Sequence, residues 1–147
     1  RWAREGEGVS APAAISVVDA EAVVAADARA WGGSRTHLLQ HLTINGQAYS
    51  GGASLALLQV PGPMRVLGPW LKQTDDDDIA AILSAAVAMT SAGVELVADV
   101  RHSAKLDIYL EQTGFRWQGY NALMAQGTKD HVELSQVFSL ASLGSMG

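Results

Sequence analysis

Four consecutive carboxylates, Asp75 to Asp78, stand directly ahead of an apolar repeat at Ile79, Ile82, Leu83, Ala86 and Met89. At a helix start, such charges meet free amides and the positive end of the helix dipole, so an over-capped N-terminus is the plain reading. A divalent-cation site needs oxygens converging on one point, whereas successive helical side chains point in different directions. Repulsion of another anion is the third reading. His37 and His41 are four apart on a predicted helix, a spacing that can hold a metal. Position 38 is Leu instead of the Glu of a zinc-protease motif, and no third ligand follows. His102 and His131 are isolated. The chain has no cysteine, which removes disulfides, cysteine–zinc sites and thiol nucleophiles. It has no Gly-x-Ser-x-Gly elbow and no P-loop.

The elements that would position any site follow from pattern. Ala14 to Val18 is a short apolar run ending at Asp19, a strand and then an N-cap. Ala20 to Trp31 favours helix and stops at Gly32-Gly33. Ser34 caps a second short helix through Leu42, and Asn45-Gly46 is a turn. Gln47 to Ser50 reads as a strand. Ser54 to Val60 and Met64 to Lys72 read as a hairpin around Pro61-Gly62-Pro63, with a bulge or a lost ladder bond at Pro69. The strongest helix pattern starts with Thr74 as cap and Asp75 to Asp77 in the first turn, and ends at Gly93. Val94 to Val100 is a nearly continuous apolar strand. Ser103 caps a helix through Thr113, closed by Gly114. Phe115 to Gln118 and Tyr120 to Ala125 read as two strands. The strands at 64–72 and 94–100 are joined by a helix, so they should lie parallel and adjacent. We expect them to diverge at their C-terminal ends, since Pro69 removes a donor there.

Residues 1–12 read as a linker or arm, 13–127 as one domain, and 128–147 as a tail with Val137, Phe138 and Leu140 available to dock. With 147 residues, 48% of them hydrophobic, the chain is long enough for a core and too apolar for global disorder. Charged residues are 17%, against an ordinary ~25%. The net charge of −5 argues against a nucleic-acid partner, which needs a basic face. No apolar run approaches the ~18 residues of a membrane span, and the start lacks an apolar signal core. A cytoplasmic location is the expectation. The absent initial methionine leads us to expect a piece of a longer or processed chain.

This element order resembles the GNAT (GCN5-related N-acetyltransferase) superfamily. Ser103 to Phe115 looks like the helix-then-Gly-Phe signature that follows the fifth strand of that family. The chain is most similar to the second, degenerate domain of tandem GNAT proteins. Their Asp-x-x-x-Phe-Gly-x-x-Arg element is matched by Asp27, Trp31, Gly32 and Arg35, and their Arg-x-x-Gly-Pro strand by Arg65, Gly68 and Pro69. Their strand ending in Asp-Val is matched by Asp99-Val100. The resemblance spans residues 14–126. It implies an α/β fold with a mixed, mostly antiparallel sheet, a parallel central strand pair and flanking helices.

It also implies transfer of an acetyl group from acetyl-CoA to an amine, with acetyl-CoA as co-substrate and a small-molecule amine as acceptor. A preceding GNAT domain or a homodimer partner is implied as neighbour. In the family, the pantetheine arm enters the gap between the two parallel strands, and the pyrophosphate sits at the following helix. That assigns Trp70, Leu71, Lys72, Gln73 and Thr74, with Ser103, to cofactor binding. The family loop Arg/Gln-x-x-Gly-x-Gly/Ala is matched here by Thr74 to Ile79, or by Gln73 onward after a one-residue shift, with neither glycine. Each aspartate there would cost a bound phosphate roughly 0.5–1 kcal/mol. The family's tyrosine acid falls on Leu110, so Tyr109 is the nearest candidate acid and is also readable as a packing residue. Asp99 is the best candidate base, ahead of Glu95, and is also readable as a loop cap. Tyr120 is placed to line an acceptor pocket. The alternative function is a non-catalytic GNAT-like domain that binds a small ligand or supports a catalytic partner domain, and a plain dimerisation module is a third.

Overall fold

The computed structural model of the chain describes residues 1–8, 14–73, 78–123 and 131–140. In chain order, the strands and helices among them are β1 (Trp2–Glu5), β2 (Ile15–Val17), α1 (Ala20–Trp31), α2 (Thr36–Thr43), β3 (Gln47–Gly51), β4 (Ser54–Gln59), β5 (Arg65–Lys72), α3 (Ile79–Met89), β6 (Glu95–Ala98), α4 (Ala104–Gln112), β7 (Arg116–Trp117) and β8 (Val137–Ser139). A 3₁₀ turn, Leu134–Gln136, leads into β8. The fold is mixed α/β. One sheet runs in the order β2-β3-β4-β5-β6-β1-β7, with β8 paired to β5 off that path.

The sheet is antiparallel except at its centre, where β5 and β6 run parallel with Arg65, Val66 and Leu67 opposite Leu96, Val97 and Ala98. The 3.6-residue repeat of α3 explains this pair. A helical crossover returns the chain to the same end of the sheet, so the second strand runs with the first. The bulge expected at Pro69 is present. Ala56 faces Trp70 and Leu58 faces Leu67, so Gly68 and Pro69 together oppose Leu57.

Period-two alternation divides the sheet between two cores. Tyr49, Ala56, Leu58, Leu67 and Trp70 face α3 and α4, where Ile82, Leu83, Leu106 and Leu110 are fully buried. Ala48, Leu55, Leu57 and Leu71 face α1, through Val23, Ala26 and Ala30. Burial holds the Tyr49 phenol far above its ordinary pKa, so it stays neutral. The caps follow the sequence: Asp19 accepts from Glu21 N at 3.0 Å, Gly32 closes α1 at φ 64°, and Ser103 caps α4.

Several boundaries differ from the sequence pattern. Trp2–Glu5 belong to the sheet, not to a linker. They form an inner strand between β6 and β7, with Trp2 opposite both Ala98 and Trp117. The charge and glycine of the first residues hide the Trp2-Ala3 pair, which is buried. The tail likewise contributes β8. The chain beyond Trp117 leaves the ladder, so Tyr120 to Leu123 form no strand. Helix α3 begins at Ile79, and Asp78 makes no side-chain cap. Thr74 to Asp77 lie outside the described residues. No helix among the described residues is long and apolar enough to cross a membrane.

Candidate functional site

The parallel pair ends at Leu67 and Ala98, and the two chains then part. Segment 137–140 lies between them. On one side β8 pairs antiparallel with β5, Ser139 opposite Trp70 and Val137 opposite Leu71. On the other, Arg101 N donates to Phe138 O at 2.8 Å and Leu140 N to Asp99 O at 3.3 Å. The Ser139 hydroxyl donates to Leu67 O at 2.7 Å and lies 3.2 Å from Asp99 O, so one buried side chain ties both parted strands. Phe138 packs its ring 4.9 Å from that of Trp70, and Val137 joins the α1 core. Gly68 permits this approach: a Cβ there would stand 2.0 Å from Leu140 O.

The residues expected around a cofactor arm are distributed along this seam. Trp70 and Leu71 are buried in the two cores, with their backbone facing β8. Lys72 ends β5 half-buried. Gln73 is exposed, and its N–H donates to Ala53 O at 2.6 Å. Thr74 lies outside the described residues. Ser103 serves as the N-cap of α4, accepting from Leu106 N at 3.5 Å. Tyr109 is half-buried against the larger core. Leu110, its neighbour, is fully buried.

Asp99 follows β6 and opens on a cavity of about 630 Å³. Its carboxylate is 6% exposed, which is rare for a group whose ionised form is costly to bury. Oδ2 accepts a hydrogen bond from Asn121 Nδ2. Oδ1 lies within ion-pair distance, 3.6 Å, of the Arg1 amino nitrogen, which itself donates to Gly119 O at 2.6 Å. No cationic side chain pairs with Asp99 among the described residues. Trp2, Trp117, Tyr120 and Phe138 supply aromatic walls to the same cavity, and Asp107 and Glu111 come from α4. His102 Nδ1 pairs with Asp107 at 2.8 Å. Trp117 and Tyr120 are 61% and 85% exposed, unusual for such large rings.

Thus Asp99 and Tyr120, both singled out by sequence, share this cavity, while Tyr109 is not among its lining residues. Sequence reasoning missed Trp117 and Asn121, and singled out Phe138 only as a tail residue available to dock. The Trp117-x-x-Tyr120-Asn121 spacing was visible, but its relation to Asp99 depends on a chain that leaves the sheet. His37 and His41 are exposed on α2, and no group of three or more metal-ligating side chains occurs among the described residues.

Comparison with protein-family models, with curated proteins and with solved structures finds no match.

Proposed function

We propose that this chain is a GNAT-like domain of an N-acyltransferase that moves an acetyl group from acetyl-CoA to an amine. Within it, this domain supports a catalytic partner domain and holds a small ligand at Asp99, without a cofactor slot of its own. The observation that carries this reading is the seat of β8. The family resemblance places the pantetheine arm in the gap between the parted parallel strands, where it would pair with the backbone of β5. Here Trp70 and Leu71 pair with Ser139 and Val137 instead. A cofactor entering the gap would have to expel those ladder bonds, the buried Ser139 hydroxyl and the buried Val137 together. Each net hydrogen bond is worth about 0.5–1.5 kcal/mol, and the penalty grows where a buried partner is left unsatisfied. The missing loop glycines and the aspartates at 75–77 act in the same direction.

Titration calorimetry with acetyl-CoA tests this. The expected result is no binding, or binding in the high micromolar range or weaker. Amide hydrogen exchange supplies the second readout. In the accessory reading, the Leu71 and Val137 amides stay protected when acetyl-CoA is added. Sub-micromolar affinity with loss of protection at Val137 would make this domain a cofactor site in its own right.

A further inference from the structure

We propose that the Asp99 cavity binds a quaternary ammonium ion, a permanently charged organic cation carrying methyl groups. This deepens the small-ligand part of the reading above and rests on it. Three observations converge. First, Asp99 is a nearly buried carboxylate that no cationic side chain neutralises among the described residues. The Arg1 amino nitrogen, 3.6 Å from Oδ1, is its one positive contact among the described residues, and the carboxylate in the cavity wall can hold a further cation beside it. Second, six large apolar side chains are exposed on the described surface: Val17, Ile44, Ile108, Trp117, Tyr120 and Leu123. Three of these, Trp117, Tyr120 and Leu123, line this one cavity. Such clustering marks a contact surface more than scattered apolar residues do. Third, the walls are aromatic, and a ring face attracts a weakly hydrated cation.

The aromatic walls around Asp99 bear on the kind of cation. Oδ2 already accepts from Asn121, and Oδ1 faces the Arg1 amino nitrogen at 3.6 Å. The carboxylate supplies the charge and keeps acceptor sites on Oδ1, so it is the ring faces that favour a methylated cation over a primary one. A primary ammonium needs acceptors for its three N–H groups, whereas a quaternary ammonium needs none and gains from ring faces. Most positive side chains at the cavity are engaged elsewhere. Arg101 donates to Leu134 O and sits close enough to Glu133 to help lower that carboxyl's pKa, behind the hydrogen bonds from Ser135. His102 is committed to Asp107. Glu111 has no ion-pair partner among the described residues and adds to the negative lining. Arg1 brings the opposing groups: its amino nitrogen, shared between Asp99 Oδ1 at 3.6 Å and Gly119 O at 2.6 Å, and its guanidinium, whose Nε is buried without a hydrogen bond.

Choline and its neutral carbon isostere, 3,3-dimethylbutan-1-ol, are the probes, read by tryptophan fluorescence and calorimetry on the whole chain. Choline should saturate, with millimolar or tighter affinity, and the isostere should bind at least about tenfold more weakly, because tenfold is the scale of one modest charge interaction. Asp99→Asn should weaken choline by about tenfold or more. Trp117→Ala and Tyr120→Ala should each weaken it severalfold. Both of those rings are largely exposed, so these variants fold even where Asp99→Asn does not. Ethanolamine, the primary analogue, should bind more weakly than choline. Equal affinity for choline and its isostere, tighter binding of ethanolamine, no saturation with choline, or indifference to both ring variants would each overturn the proposal. The acetyl-CoA titration is independent of these outcomes: choline can fail while acetyl-CoA is still refused, which separates this inference from the accessory reading.

Discussion

Arg35 spans the turn between α1 and α2 and forks onto Asp27, with Nε to Oδ2 at 2.9 Å and Nη2 to Oδ1 at 2.6 Å. Its guanidinium also lies 4.0 Å above the Trp31 ring. Asp27 is fully buried, so the pair and the stack are one device that docks the α1–α2 corner. The Asp27, Trp31, Gly32 and Arg35 pattern is therefore accounted for by packing alone. Arg35→Ala should cost about 3–5 kcal/mol by stranding a buried carboxylate. Arg35→Lys should recover only part of that, because a lysine neither forks nor stacks as well. Urea unfolding of the two variants measures both numbers. Position 110 gives a second test at this scale. Leu110→Ala removes a fully buried side chain and should cost about 2–5 kcal/mol, while Tyr109→Phe should leave the melting temperature almost unchanged. If Tyr109 were a recruited acid, acetyl transfer by the whole protein would instead fall about a hundredfold in Tyr109→Phe.

Among the elements, β8 matters most, and Gly68 is its gatekeeper. Gly68→Ala would drive a methyl group into Leu140 O, with the Ser139 hydroxyl 2.9 Å away. Backbone cannot yield there as a flexible side chain would, so segment 137–140 should be displaced. The expected outcome is faster amide exchange at Phe138's neighbours Val137 and Ser139, with the β4–β5 hairpin still protected. Unchanged exchange at Val137 would mean that β8 is not anchored as described. Gly68 is also one of the two bulged residues of β5 that oppose Leu57, so the same position both bends β5 and admits its last partner.

At the scale of the whole molecule, the sheet is completed by segments distant in sequence from its centre. The first strand, Trp2–Glu5, lies between β6 and β7, and β8 fills the split some seventy residues after β5. Trp2 is 8% exposed and touches the larger core. Trp2→Ala should cost about 3–5 kcal/mol. It should also release Arg116–Trp117, because β7 has no other strand neighbour among the described residues. Chemical denaturation followed at Trp117 would show its environment lost ahead of the main transition. A single transition unchanged from the parent would contradict this role for β1.

The local order of helices and strands was legible in the sequence because it is written in short-range terms. Asp19 and Ser103 read as caps and are caps, the α3 repeat reads as a buried helix, and Pro69 reads as a bulge and makes one. The parallel central pair followed from a helix joining two apolar strands. What the sequence could not express was which distant segment occupies each vacant edge. Trp2-Ala3 sits among charges and glycines, and Val137 to Ser139 is three residues long, too short for any period to register. Their strand state comes from partners already in place, whose free amides and carbonyls stabilise an extended segment that has little propensity of its own. The candidate site divides in the same way. Asp99 stood out as a carboxylate ending an apolar strand, but Trp117 and Asn121 join it only because β7 is two residues long and the chain then leaves the ladder, and Phe138 only because β8 pairs with β5.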